Sequence, residues 1–196
     1  MNEYAVVKLT KKDEDELKKV ITESFGNLPQ MPIMIKKPRQ GKEILKALVD
    51  MYNSNTKMIK YGIKEDGILT SAFFCTRADF NPSLIKQLVF GFKILRKLGL
   101  EGVLQFWKIQ RSKPKHRSNQ IELVMLVTLP LYQGKGRGKE ILNFLYDYAK
   151  KKNYLSVVAV TNSKKPAFKF YLKQGWIIEK KFINGKDEFC WIKKIL

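Results

Sequence analysis

The sequence predicts a single α/β domain in which a β-sheet is flanked by helices. Short β-branched and apolar runs of strand type alternate with longer runs whose apolar residues recur at helical spacing. Two turn signals, Glu65-Asp66-Gly67 and Asn184-Gly185, each separate a pair of strand-like runs and therefore predict antiparallel hairpins. The 196 residues give room for a sizeable core, and no internal repeat or change of composition marks a second domain. We expect one domain over residues 1–196.

The first half of the chain is predicted to contain three strands and two helices. Thr10 suits the N-cap of the first helix, and the acidic residues from Asp13 to Glu16 suit the positive end of its dipole. Residues 26–40 hold three prolines but are rich in apolar side chains, so we expect an ordered loop there. The other expected elements are strands at 4–9, 57–64 and 68–77 and helices at 10–24 and 43–52.

Residues 82–118 are predicted to form one or two helices between the third and fourth strands. The apolar residues that recur on one helical face are Leu84, Leu88, Phe92, Leu95 and Leu98. This face either covers the sheet or helps to shape a substrate pocket beside it. The basic end of the segment, from Lys108 to Arg117, is typical of a solvated loop.

The most informative stretch is PLYQGKGRG at residues 130–138, which lies between a strand-type run at 123–127 and an amphipathic helical run that begins near 137. Its alternating glycines let the backbone approach a ligand closely, because no Cβ stands in the way. The turn also aims the free N–H groups and the positive dipole of the helix at that ligand. The residues of the turn are Gln133, Gly134, Lys135, Gly136, Arg137, Gly138 and Lys139. This arrangement predicts a site for a phosphorylated ligand.

Two common phosphate-binding motifs do not fit this turn. A Walker A loop requires Ser or Thr after Gly138-Lys139, where Glu140 stands. A dinucleotide fingerprint would need a third glycine at position 139 or 141, where Lys and Ile stand.

The pattern Gln-x-x-Gly-x-Gly at Gln133, Gly136 and Gly138 resembles the pyrophosphate-binding loop of the GNAT superfamily of acetyl-CoA-dependent N-acetyltransferases. The resemblance continues through a strand at 154–160 that ends at Asn162, and through a helix from Pro166 that ends in Gly175-Trp176. It covers the chain from Asn119 onward, and the first half by element order alone. It implies a central mixed, mostly antiparallel sheet flanked by helices, with residues 82–118 as a helical insertion between strands three and four.

The resemblance also implies which residues hold acetyl-CoA. In the family the fourth strand bulges and splays from the fifth, which frees backbone groups for the acetyl and pantetheine parts. Besides the loop residues 133–139, the implied cofactor-binding residues are Leu126, Val127, Thr128, Asn162, Ala167 and Phe170. No metal is implied.

Tyr171 matches the family tyrosine that faces the sulfur and is therefore the candidate general acid for the departing thiolate. Glu122 lies on the expected fourth strand, where some family members carry a catalytic glutamate. Strand alternation would place it on one face with Val124 and Leu126, so it is the candidate base, with a chain of water molecules as the alternative. Cys75 and Cys190 lie outside these motifs, which disfavours a covalent acetyl-enzyme and favours direct attack in a ternary complex.

Charge and composition limit which ligands and which cellular location we expect for the protein. A net charge of +20 favours anionic ligands, and a multiply charged cofactor, RNA or an anionic membrane surface would all meet that description. No RNA-reading motif, zinc spacing, secretory signal or membrane-length apolar run is present, so we expect a cytoplasmic protein. The resemblance predicts a small-molecule or peptide amine as acceptor and a monomer or homodimer. The alternative is a non-catalytic CoA- or RNA-binding module of the same fold.

Overall fold

The structure is a computed structural model that describes residues 4–25, 58–79, 84–115 and 118–196. The described elements are, in chain order, β1 (Tyr4–Lys8), α1 (Glu14–Phe25), β2 (Ile59–Glu65), β3 (Ile68–Arg77), α2 (Leu84–Ser112), β4 (Gln120–Thr128), α3 (Arg137–Lys151), β5 (Ser156–Asn162), α4 (Pro166–Lys173), β6 (Ile177–Asn184) and β7 (Asp187–Ile195). Single 3₁₀ turns lie at Lys11–Asp13 and Pro130–Tyr132. The expected loop at 26–40 and helix at 43–52 lie outside the described residues.

The strands form one sheet in the order β1-β2-β3-β4-β5-β7-β6. Every neighbouring pair is antiparallel except β4 and β5, which run parallel. Both predicted hairpins are present, and positive φ angles at Asp66, Gly67 and Gly185 make their turns. The prediction of a mixed, mostly antiparallel sheet flanked by helices is therefore confirmed.

Each face of the sheet carries its own apolar cluster. On one face, Ile141, Leu142 and Leu145 of α3 and Tyr171 of α4 pack against the centre of the sheet. On the other face, Leu17, Val20 and Ile21 of α1 pack against β3 and β4. A capping box positions this helix, because the Thr10 hydroxyl accepts a hydrogen bond from the Lys12 N–H and the Asp13 carboxylate accepts one from the Thr10 N–H.

The insertion between β3 and β4, α2, consists of two helical segments that meet at a kink at Gly99, where φ is 69°. Its orientation differs from expectation. Leu88, Phe92 and Leu95, which belong to the face expected to cover the sheet, are exposed, whereas Ile94 is buried. The cover hypothesis is therefore wrong for these three residues. None of the helices in the described ranges is long and apolar enough to cross a membrane.

Candidate active site

A gap opens in the middle of the sheet, between β4 and β5. The two strands pair only where Gln120, Ile121 and Glu122 face residues 156–158. Beyond that point β4 follows β3 as far as Thr128, and β5 follows β7 as far as Asn162. The facing backbone groups of the two diverging edges are therefore available to a ligand that enters between them.

A β-bulge in β4 lies next to the start of this gap. Phe74 pairs with Met125 and Cys75 pairs with Leu123, so Val124 is an extra residue on β4. Val124 and Met125 both pack in the cluster of α1, whereas Leu126 packs in the cluster of α3. The expected alternation is therefore wrong, since Glu122 does not share a face with Leu126. Bulges bend a strand and increase its twist, which accounts for the separation of β4 from β5.

The glycine-rich loop connects the end of β4 to α3. Gly134 and Gly136 have φ angles of 76° and 85°, a region that strains residues with side chains. At Gly138 a Cβ would make an ordinary van der Waals contact with the ring of Phe170 on α4, at 3.5 Å, so the space there does not itself require glycine. The Gln133 side chain donates a hydrogen bond to the Thr128 carbonyl at 3.0 Å and so ties the loop to the strand.

The loop presents a row of free backbone donors at the positive end of α3. Within the described part of the chain, no backbone hydrogen bond involves the N–H groups of residues 134–138, whereas those of Lys139 and Glu140 donate to the Gly136 carbonyl. The Lys135 and Lys139 side chains are exposed beside this row. Free amides, a helix dipole and two lysines together form an anion-binding site of the kind that suits phosphate.

Arg137 has a different environment from the two lysines. Its guanidinium donates to both carboxylate oxygens of Glu65, at 2.5 and 3.0 Å, and to Glu140 at 2.9 Å. It also lies 4.3 Å from the centre of the Tyr4 ring, and the Tyr4 hydroxyl donates to Glu140 at 3.0 Å. We call these four residues the Arg137 clamp. The guanidinium lowers the pKa of the Glu65 carboxyl and the pKa of Arg137 is raised in turn, so its charge is balanced within the protein. Sequence reasoning missed Glu65, because nothing local distinguishes it from an ordinary turn residue.

Tyr171 lies on α4 with only 8% of its surface exposed. Its ring packs against Trp176 and Phe170, with centroid distances of 5.0 and 5.5 Å. Burial raises the pKa of the Tyr171 hydroxyl well above its usual value, so it stays protonated at neutral pH and can act as a proton donor. The structure places it in the same cluster as half-buried Ala167 and Phe170, which were predicted with it.

Asn162 ends β5 and is buried. Its side-chain oxygen accepts a hydrogen bond from the Lys164 N–H at 2.9 Å, which forms the turn that leads into α4. This contact gives Asn162 a structural role next to the gap, whatever else it binds.

Glu122 pairs with Lys113, a residue that sequence reasoning missed. The Lys113 ammonium lies 2.5 Å from the Glu122 carboxylate, and the two side chains are 23% and 16% exposed. Lys113 follows the last residue of α2, so the insertion reaches the start of the gap. Nearby Cys75 is fully buried, and burial raises the pKa of its thiol well above the usual value, which disfavours a thiolate nucleophile.

Comparison with known proteins agrees with this geometry. Residues 94–176 match the sequence profile of the Acetyltransferase (GNAT) family. A search of curated proteins finds no match to the sequence.

Solved structures share the fold over nearly the whole chain. An acetyltransferase of the GNAT family from Desulfovibrio desulfuricans is 13% identical, with a TM-score of 0.66 over 98% of this chain and 99% of that one. The PaiA N-acetyltransferase from Thermoplasma acidophilum, solved in complex with coenzyme A, is 19% identical, with a TM-score of 0.62 and 99% of both chains covered. The ribosomal-protein-S18-alanine N-acetyltransferase from Escherichia coli is 10% identical, with a TM-score of 0.62 over 98% of this chain and 94% of that one. Sequence motif and fold agree, since residues 94–176 match the GNAT family profile and the chain has the fold of these acetyltransferase structures.

Proposed function

We propose that the protein is an N-acetyltransferase that moves the acetyl group of acetyl-CoA to a primary amine by direct attack in a ternary complex. The observation that carries this proposal is the position of the free amides of residues 134–138 beside the gap between β4 and β5. An anion-binding loop next to two unpaired strand edges matches a ligand with a pyrophosphate at one end and an amide-containing arm at the other.

The cofactor residues divide into three groups under this proposal. The backbone of 133–139 binds the pyrophosphate, with the Lys135 and Lys139 side chains adding charge. The edge formed by Leu126, Val127 and Thr128 holds the pantetheine arm and the acetyl group. Ala167 and Phe170 of α4, together with Asn162, border the arm on the other side. The coenzyme A bound to the PaiA N-acetyltransferase supports the choice of ligand.

The chemical step requires a neutral amine and a protonated leaving group. The amine nitrogen attacks the thioester carbonyl carbon, a C–N bond forms and the C–S bond breaks. Tyr171 donates its proton to the departing thiolate, which its buried and protonated hydroxyl suits. The amine loses a proton either to Glu122 or to a chain of water molecules. Because Lys113 pairs with Glu122, the acceptor must displace Lys113 before that carboxylate can serve as base.

Two features limit the chemical class of the acceptor but do not identify the molecule. The net charge of +20 disfavours polycationic acceptors and favours neutral or anionic ones. The E. coli structural neighbour is a ribosomal-protein-S18-alanine N-acetyltransferase, so a peptide amine is a candidate acceptor for this chain as well as a small-molecule amine.

Binding is tested first, with isothermal titration of CoA. Gly136→Asp should abolish binding, because it adds a side chain and a negative charge where the pyrophosphate must lie. Gly67→Asp is the matched control, since Gly67 also has a positive φ and open space around it but lies in the β2–β3 turn. Equal CoA affinity in both variants would contradict the assignment of the loop.

Turnover is tested with a thiol-release assay of acetyl-CoA against a panel of small amines and peptides. Release that depends on the amine supports the transferase. CoA binding without release from any amine would favour the binding-module alternative. Tight, sequence-selective RNA binding in a gel-shift titration at physiological salt would favour an RNA-binding module.

A further inference from the structure

Among the side chains of α2 that the structure describes, many large apolar ones are exposed. In the half that precedes Gly99, Ile94 is buried. Leu88 and Phe92 are 72% and 61% exposed. The exposed apolar residues among the described side chains of this half are Ile85, Leu88, Val89, Phe92 and Leu95, which share one face because they recur at intervals of three and four residues.

The half that follows Gly99 shows the same inversion more clearly. Its buried residues are Gly102, Gln105, Ile109 and Ser112, of which three are small or polar. Leu100, Leu104 and Trp107 are exposed on the opposite face. A helix that buries Gln and Ser while exposing Leu and Trp is not explained by the core of this domain, since burial favours apolar side chains. We call the eight exposed apolar residues of the two segments, taken together, the α2 apolar face.

The exposed polar side chains that the structure describes in α2 are basic, apart from Glu101. Lys93 and Arg96 are exposed in the first half, and Lys108 and Arg111 in the second. The Arg111 guanidinium lies 3.6 Å from the centre of the Trp107 ring. Glu101 is the one acidic residue in the sequence from 84 to 112. This distribution is complementary to an anionic surface.

We propose that α2 lies in the plane of an anionic membrane surface, with the α2 apolar face in the boundary between headgroups and acyl chains. Apolar residues that include Trp, Phe and Leu on one face, with Lys and Arg beside them, are the pattern of interfacial helices. Anionic headgroups match the basic flanks and the net charge of +20. A helix of this kind lies along the bilayer and does not cross it, in keeping with its hydropathy.

Trp107 reports directly on this contact. The chain has three tryptophans, and Trp107 is 54% exposed whereas Trp176 and Trp191 are each 2% exposed. Vesicles of phosphatidylcholine mixed with phosphatidylglycerol should therefore shift the tryptophan emission to the blue. Vesicles of phosphatidylcholine alone should have a much smaller effect, and added salt should weaken the response to the anionic vesicles.

Variants test the two contributions separately in a vesicle co-sedimentation assay. Leu88→Ser with Phe92→Ser should reduce binding by at least about tenfold, since two buried apolar side chains are lost. Lys93→Glu with Arg96→Glu should reduce binding to anionic vesicles and leave the weak binding to neutral ones unchanged. Ile68→Ser with Leu155→Ser is the matched control, because these two apolar residues are exposed outside α2.

Three results would overturn the proposal. One is an unchanged Trp107 emission and no co-sedimentation with anionic vesicles. A second is a blue shift that grows with protein concentration in the absence of lipid, accompanied by a dimer mass, which would assign the face to a second copy of the chain. The third is equal vesicle binding by the α2 variants and the control variant, which would assign the membrane contact to another surface.

Discussion

Tyr171 is the residue whose environment says most about its chemistry. Its hydroxyl is buried with a raised pKa, so it remains a proton donor across the physiological pH range. Tyr171→Phe should keep the fold and the CoA affinity, because the ring still packs on Trp176. We expect kcat to fall by about 100-fold, the lower range for loss of a general acid. Steady-state kinetics with the best amine of the panel provide the measurement.

A neighbouring tyrosine supplies the control for this substitution. The Tyr146 hydroxyl accepts a hydrogen bond from the Trp176 indole at 2.6 Å, so Tyr146→Phe also removes one sheltered hydroxyl beside the same ring. That variant should lose about 1 kcal/mol of unfolding free energy and little activity. If both variants lost activity equally, Tyr171 would have only a structural role.

Breaking the Arg137 clamp should change the CoA affinity, and the direction of that change distinguishes two roles for Arg137. If the clamp positions the loop, Glu65→Gln should weaken CoA binding by about tenfold, which corresponds to about 1.4 kcal/mol. If Arg137 instead binds phosphate directly, release from Glu65 should strengthen CoA binding. Calorimetry with CoA and with pantetheine, which lacks the pyrophosphate, gives the measurement, and we expect pantetheine binding to be unchanged. Glu16→Gln is the control, because Glu16 is also ion-paired, through Lys64, but belongs to α1.

At the scale of elements, the N-terminus of α1 predicts a pH dependence of stability. A hydrogen bond from the Lys64 ammonium, at 2.8 Å, is the main cause that lowers the pKa of Asp13 to about 2, and the Thr10 N–H adds to it. A depressed carboxyl pKa contributes stability above the unfolded value of about 4, and that contribution is lost as the pH falls toward 2. Asp13→Asn should therefore cost about 1 kcal/mol at pH 7, or roughly 2–4 °C in Tm.

Thermal unfolding as a function of pH checks this expectation. The difference between the original protein and Asp13→Asn should close between about pH 4 and pH 2. Asp15→Asn serves as the control, because the Asp15 side chain is fully exposed and its nearest ion-pair distance is 3.7 Å. A difference that does not change with pH would contradict this expectation, because the Lys64 and Thr10 hydrogen bonds both favour the ionised carboxylate.

The sequence predicted those helices, strands and loops that have a distinctive local sequence pattern. Period-two and period-3.6 patterns predicted the strands and α1, and the alternating glycines predicted the loop before α3. The bulge at Val124 leaves no local signal, because the run 123–127 is uniformly apolar and its register is set by pairing with β3. Pairs such as Glu65–Arg137 and Lys113–Glu122 depend on tertiary contacts, and the first joins residues 72 positions apart. The orientation of α2 was missed for a related reason, since periodicity identifies an apolar face but not what covers it.

At the scale of the whole molecule, the sheet consists of two antiparallel halves. One half contains β1 to β4 and the other contains β5 to β7, and each is built from consecutive segments of the chain. Three residue pairs between β4 and β5, together with α3, join the halves. The turn at Asn153, where φ is 59°, separates α3 from β5 and lies between exposed Lys152 and half-buried Tyr154.

It should therefore be possible to divide the protein into two fragments that reassemble. Fragments 1–153 and 154–196, expressed together, should reassemble, because the second fragment brings Ala159, Trp176 and Ile192 into a cluster that it shares with Leu142 and Leu145 of the first. The proposed CoA site contains residues of both fragments, so CoA should tighten their association by reciprocal linkage. Affinity measurements between the purified fragments, with and without CoA, would show this. The gap in the sheet would then be an interface between two separate chains, and a small molecule bound in it would hold the two chains together.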